Sequence, residues 1–117
     1  MNKLIFNWTI LFLYMFLIFY FSSQDKIYIL ENTPDFNLRD KLLHVLEYGF
    51  LGFLTYNAFK QHEFLNKKLY FYVIMFAVIY AMSDELHQIF IPNREFSIFD
   101  FLADSLGSGL ILVKKYI

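Results

Sequence analysis

From Leu4 to Phe21 the chain runs about 18 residues without a charge, and at 1.5 Å per residue a helix of that length covers roughly 27 Å. That is near the thickness of a bilayer's hydrocarbon core, so the stretch reads as a transmembrane helix. A cleaved signal peptide is the competing reading. The apolar run exceeds the usual length of a signal's apolar region, and it ends in Phe-Ser-Ser-Gln instead of small residues at a cleavage site, which favours an anchor. The rest of the chain agrees with a lipid solvent: 58% of its residues are hydrophobic and 22% are aromatic, outside the usual soluble composition.

Three further spans follow. Leu42 to Phe59 is apolar apart from His44, Glu47, Thr55 and Asn57, and taken alone it reads equally as a soluble amphipathic helix. Leu69 to Phe90 is free of charge until Asp84, and Ile98 to Val113 closes on Lys114 and Lys115. Between them, residues 22–40 contain Pro34 and form a loop with room for a short interfacial piece over Ile27 to Leu30, and residues 60–68 form a polar turn. The expected fold is all-α: one polytopic membrane domain over residues 1–117, with four transmembrane helices (about 4–21, 42–59, 69–90 and 98–113) in a compact bundle. Gly49 and Gly52 offer close packing, as do the small-residue spacings Ala103/Gly107 and Ser105/Gly109.

Four function classes are narrowed by the totals. A formal charge of −1 supplies no basic footprint for nucleic acid. With no cysteine there is no disulfide and no thiolate nucleophile. No serine sits in a nucleophile elbow. Four short helices without charge in their inner halves offer no continuous relay, which argues against a transporter.

Sidedness comes from the basic residues. With four spans, Lys3, Lys60, Lys67, Lys68, Lys114 and Lys115 share one side, while Lys26, Arg39, Lys41 and Arg94 share the other. The positive-inside rule then expects a multi-pass protein of the cell membrane with both termini in the cytoplasm.

In that topology the polar residues converge at the outer face. Asp40, Lys41, His44 and Glu47 open the second helix; Asp84, Glu85, His87 and Gln88 close the third; Arg94 and Glu95 lie in the outer turn; Asp100 and Asp104 occupy the first turns of the fourth. All fall in roughly the outermost 10 Å of the hydrocarbon. Residues three and four apart share a helix face, which aligns Lys41, His44 and Tyr48, then Asp84, His87 and Gln88, then Asp100, Asp104 and Gly107. A carboxylate at mid-bilayer costs about 2.5–3.5 kcal/mol, so such groups should face one another or a wet cavity. An outward-opening polar pocket is the expectation. Blander roles compete for several residues: Asp40 and Asp100 as acids favoured at helix N-termini, Arg94 as an interfacial anchor, Glu95 as a solvated charge, His87 as a donor to a backbone carbonyl. Asp104, Glu47 and Asp84 lie deepest and are hardest to explain that way.

The layer holds seven carboxylates against the two permanent cations Lys41 and Arg94, a formal excess of five negative charges. Protonation, histidinium formation or a bound cation would restore neutrality. A divalent cation is therefore allowed, though no HExxH, Cys/His array or EF-hand spacing demands one and no metal ligands are assigned.

The pattern Asp40-Lys41-x-x-His44-x-x-x-Tyr48, followed by Asp84-Glu85-x-x-Gln88-x-x-x-Pro92-x-Arg94-x-x-Ser97-x-x-Asp100 and Gly107, resembles the VanZ-like family of small membrane proteins, as does Phe21-Ser22-Ser23-Gln24 after the first helix. Asn93 stands where the family usually has glycine, and Asp104 where it commonly has asparagine or aspartate. The family takes its name from an accessory protein of glycopeptide resistance, associated with teicoplanin. The resemblance implies a four-helix membrane fold and suggests a cell-envelope role; it implies no particular reaction.

Two readings of the site stay open. In the first, a binding protein uses Asp40, Lys41, His44, Tyr48, Asp84, Glu85, Gln88, Arg94, Asp100 and Asp104 to hold the polar head group of a membrane lipid, a lipid-linked envelope precursor or a glycopeptide. Arg94 and Lys41 would meet an anionic group, and the acids, His44 and Gln88 would meet amines, hydroxyls or water. In the second, a membrane hydrolase or transferase acts on a lipid-linked head group, with Asp84 or Glu85 as general base and His44 as proton shuttle.

Overall fold

The computed structural model describes residues 2–23, 38–92 and 96–116, with residues 38–40 and 65 described by their backbone alone. Asn93, Arg94, Glu95 and the expected interfacial piece Ile27–Leu30 lie outside the described residues, as does the side chain of Asp40. Among the described residues every element is helical, as the sequence predicts. Four main helices follow in order: α1 (Lys3–Ser22), α2 (Leu38–Phe59), α3 (Leu69–Gln88) and α4 (Ile98–Gly109), with a short α5 (Leu112–Tyr116) at the end. A 3₁₀ segment, Glu63–Lys68, occupies the expected polar turn before α3.

Local chemistry explains most boundaries. Asn2 caps α1, its side-chain oxygen accepting the Leu4 N–H at 2.7 Å. The α2 helix begins at Leu38, a turn before the expected start at Leu42, so Lys41 lies inside the helix. The α3 helix ends at Gln88, two residues before the expected Phe90. Beyond it the N–H groups of Phe90 and Ile91 turn back to the carbonyls three residues earlier, and Pro92 disfavours helix at the residue before it.

The expected fourth span is broken. Its regular helix is the 12-residue α4, roughly 18 Å long. The Leu110, Val113 and Lys114 N–H groups bond to the carbonyls of Gly107, Leu110 and Ile111, tight turns that separate α4 from α5. Gly107 and Gly109 lower the helix propensity of this stretch, which hydropathy alone does not register.

Two stretches are long and apolar enough to cross a membrane, Lys3–Ser22 and Asn66–Gln88. The helices alternate in direction. Trp8 donates to His62 at 3.0 Å where α1 starts and α2 has ended, and Gln88 donates to Ser22 at 3.1 Å where α3 and α1 end. The α2 and α4 helices run side by side in the same direction and form the largest interface of the bundle.

That interface is made by small residues. A Cβ on Gly107 would fall 2.3 Å from the Val45 carbonyl oxygen, so the two backbones touch there. On the facing helix, a Cβ on Gly52 would meet the Ser108 carbonyl oxygen at 3.4 Å and one on Gly49 would meet the Leu110 side chain at 3.1 Å. The expected packing role holds for Gly49, Gly52 and Gly107. It does not hold for Gly109, around which a Cβ would meet nothing within 4 Å.

The fully covered side chains of α2 are Tyr48, Leu51, Thr55 and Ala58, at helical spacing, with Leu54 and Phe59 buried beside them. On α3 the buried stripe starts apolar at Val73, Ala77 and Ala81 and turns polar at Asp84, Glu85 and Gln88. Two buried hydroxyls are satisfied within their own helices, Thr55 to the Leu51 carbonyl at 2.8 Å and Ser108 to the Asp104 carbonyl at 2.9 Å. The core is therefore apolar at one end of the bundle and ionisable at the other.

Candidate functional site

At the ionisable end, α2 contributes Lys41, His44 and Tyr48, α3 contributes Asp84 and Glu85, and α4 contributes Asp100 and Asp104. The structure brings these seven residues together, and it shows how they are arranged. Two cross-helix pairs tie α2 to α4: Lys41 Nζ donates to Asp100 Oδ1 at 2.5 Å, and His44 Nδ1 lies 2.7 Å from Asp104 Oδ1. His44 Nε2 is 3.8 Å from Asp100 Oδ1, so the imidazole stands between the two acids.

Burial divides the group into an outer and an inner tier. The side chains of Lys41, His44 and Asp100 retain 24%, 16% and 14% of their exposure. Deeper in, Asp84 is 6% exposed and Tyr48, Glu85 and Asp104 are fully covered. One carboxylate oxygen from each of Asp84, Glu85 and Asp104 lies within 4.8 Å of the others.

Glu85 links this inner tier to the start of α4. Its Oε1 accepts the Ser97 backbone N–H at 3.0 Å, while Ser97 Oγ caps α4 by accepting the Asp100 N–H at 3.2 Å. Sequence reasoning gave Ser97 no structural role, although Ser97-Ile98-Phe99-Asp100 carries the serine-to-acid spacing of a capping box. Three oxygens of the inner tier have no hydrogen-bond partner: Glu85 Oε2, Asp104 Oδ2 and the Tyr48 hydroxyl. A buried polar atom left so is uncommon and invites a ligand.

Two expected members face elsewhere. The Gln88 amide donates to Ser22 on α1. His87 turns to the same helix, its Nε2 lying 2.8 Å from Ser23 Oγ and its ring stacking on Phe19 at 4.5 Å between centroids. Both fasten α1. Glu47, half-buried on α2, accepts the Tyr14 hydroxyl at its carbonyl oxygen at 2.8 Å. Two grooves on the molecule are apolar and lie away from the acids, one along α2 and α5 between Leu46 and Val113 and one beside Trp8, His62 and Phe76.

Chemically, the inner tier offers carboxylates on two helices and a hydroxyl on a third, beside the outer-tier imidazole of His44 that pairs with Asp104. It suits a bound donor or cation, and its His–Asp pair has the geometry for proton transfer. Lys41 is committed to Asp100, so the expected anion-meeting role of Lys41 has an internal competitor.

Neither the curated proteins nor the solved structures contain a match to this chain. Residues 6–114 do match a family model, VanZ/LLP1. Because that match takes in nearly the whole chain, including α2, α3, α4 and every residue of the ionisable end, the chain belongs to the VanZ-like family.

Proposed function

We propose that this chain is a four-helix protein of the cell membrane whose ionisable end opens toward the outer face and binds the polar head group of an envelope lipid or glycopeptide. The carrying observation is the set of three buried oxygens without a hydrogen-bond partner, contributed by α2, α3 and α4. They favour a ligand that brings hydrogen-bond donors, such as an amine or hydroxyl group.

Supporting the membrane setting, large apolar side chains on every main helix are exposed, among them Phe12, Phe16, Leu46, Phe71, Ile79 and Leu106. An apolar surface of that extent is stable against lipid and unstable against water. Supporting the orientation, Lys60 and Lys114 approach the Tyr56 ring at 5.5 and 5.2 Å and Lys115 the Tyr70 ring at 5.6 Å, at the end opposite the acids. A basic end of that kind belongs in the cytoplasm, with both termini.

A contribution to glycopeptide resistance follows from this reading combined with the family. Its test is expression in a glycopeptide-sensitive bacterium beside Asp104→Asn and Glu85→Gln at equal membrane abundance. The parent chain should reduce teicoplanin susceptibility and both variants should lose the effect. Equal susceptibility in all three strains would remove the resistance reading.

The His44–Asp104 pair favours a second reading, a membrane hydrolase or transferase acting on a lipid-linked head group. Here Glu85 would be the base and His44 would carry the proton. Turnover of a lipid-linked substrate by purified protein, abolished in His44→Gln, would select it over simple binding.

A further inference from the structure

We infer that Asp84, Glu85 and Asp104 form a binding site for one hard divalent cation, completed by the hydroxyl of Tyr48. This goes beyond head-group recognition: it draws on the same unpartnered oxygens but does not require that a head group bind.

The first support is geometry. Oxygens that ligate one ion at about 2.0–2.6 Å lie at most about 5 Å from each other. One oxygen from each of the three acids lies within 4.8 Å of the others, which meets that limit for an ion with Ca²⁺-length bonds and needs a small contraction for Mg²⁺ or Mn²⁺. They come from two helices, with Asp84 and Glu85 adjacent on α3 and Asp104 on α4, so the site is fixed by the packing of helices and not by a loop.

The second is a separate side chain from a third helix. Tyr48 is fully buried, its hydroxyl has no hydrogen-bond partner, and its electrostatic neighbours include Asp84 and Asp104. A tyrosine whose hydroxyl only filled core space would be replaced by phenylalanine without loss. Left without an acceptor or donor, a buried hydroxyl costs about 1–3 kcal/mol. The acids carry the same mark, because Glu85 Oε2 and Asp104 Oδ2 are likewise buried and without a hydrogen-bond partner.

The third is charge. Lys41 serves Asp100, and His44 serves the other oxygen of Asp104. An ion placed among the inner oxygens would meet Glu85 Oε2 and Asp104 Oδ2, which are buried without a hydrogen-bond partner. His44 then acts as a positioning residue, holding Asp104 by Oδ1 and leaving Oδ2 for the ion; hydrogen bonds of this kind orient ligating carboxylates. Ser97 does the same for Glu85 by bonding Oε1.

The donor set selects the metal class. It is all oxygen, with no thiolate in the chain, which suits Mg²⁺, Mn²⁺ or Ca²⁺ over zinc or copper. Few protein ligands leave coordination positions for water or for an incoming oxygen, as is usual for Mg²⁺ and Mn²⁺.

Mn²⁺ serves as the probe. The full-length chain, purified in detergent and freed of metal by chelation, should bind one Mn²⁺ per chain by calorimetry and by loss of the free-ion paramagnetic resonance signal. Bound Mn²⁺ should raise the unfolding temperature, and Mg²⁺ should compete. Glu85→Gln and Asp104→Asn should each weaken Mn²⁺ by tenfold or more. His44→Gln should weaken it by about tenfold, the effect expected of an outer partner. Tyr48→Phe, which keeps the packing, should weaken it several-fold while the chain stays folded. Glu63→Gln, far from the acids, should change nothing. The inference is overturned if the parent chain takes up no stoichiometric Mn²⁺, Mg²⁺ or Ca²⁺, or if Tyr48→Phe and Asp104→Asn both bind Mn²⁺ as the parent does. Head-group binding by a chain that takes up none of these ions would remove the ion site and leave the recognition reading standing.

Discussion

The α1 helix and the α2–α4 seam are held in the bundle by different means. The seam has no large side chain at its closest point: backbones touch at Gly107 and Val45, and the Lys41–Asp100 and His44–Asp104 pairs lock the register nearby. The α1 helix keeps its distance and is fastened by single hydrogen bonds spread along its length. Tyr14 donates to the Glu47 carbonyl, Tyr80 to the Met15 carbonyl at 2.6 Å, and Asn7 to the Asn57 carbonyl at 3.2 Å. Most of its aromatic side chains remain exposed. In an apolar solvent burial itself does little to drive helices together, so a helix needs either close backbone contact or polar bonds to have a defined place. The seam uses both, and α1 uses the second.

The largest expected effect strikes the seam. Gly107→Ala forces a methyl group into the Val45 backbone and should destabilise the protein by about 3 kcal/mol, the upper range for overpacking. Gly109→Ala, two residues on, should change stability by less than about 0.5 kcal/mol. Equilibrium unfolding in mixed micelles measures both, and similar values for the two would break the contrast between a packed and an open glycine.

Next in size is the lock beside it. In a double-mutant cycle of His44→Ala and Asp104→Ala, the coupling energy should be about 2 kcal/mol, because each single change strands a buried partner. A coupling near zero would mean that the pair is not formed in the membrane.

The bonds of α1 should be smaller and independent. Tyr14→Phe and Tyr80→Phe should each cost about 0.6 kcal/mol, the average for a hydrogen bond between membrane helices, and their effects should add. Strong non-additivity would show that α1 docks as a cooperative unit like the seam.

This contrast also marks what could be read from the chain. Charge interruptions in long apolar runs located α1, α2 and α3, and the alternation of direction put Lys41, His44, Asp84, Glu85, Asp100 and Asp104 at one end. Which acid each base would choose was not legible, because that depends on the fine rotation and axial offset of α2 against α4, and Asp100 and Asp104 share one face of α4. The difference between Gly107 and Gly109 has the same origin. The break before α5 was hidden for another reason: Leu110 to Val113 is as apolar as a helix interior, and the tight turns there are made by backbone hydrogen bonds. Gln88 and His87 showed their polarity but not their direction, since Ser22 and Ser23, which receive them, lie 64 to 66 residues away in sequence.

Glu85 has two unlike oxygens, one accepting from the backbone that begins α4 and the other buried without a hydrogen-bond partner. Anything that captures the second oxygen therefore tugs, through a single rigid carboxylate, on the first peptide of a neighbouring helix. Occupancy of the cluster and the seating of α4 become one coupled quantity, a mechanical link by which a small bound group could be felt along the whole glycine seam.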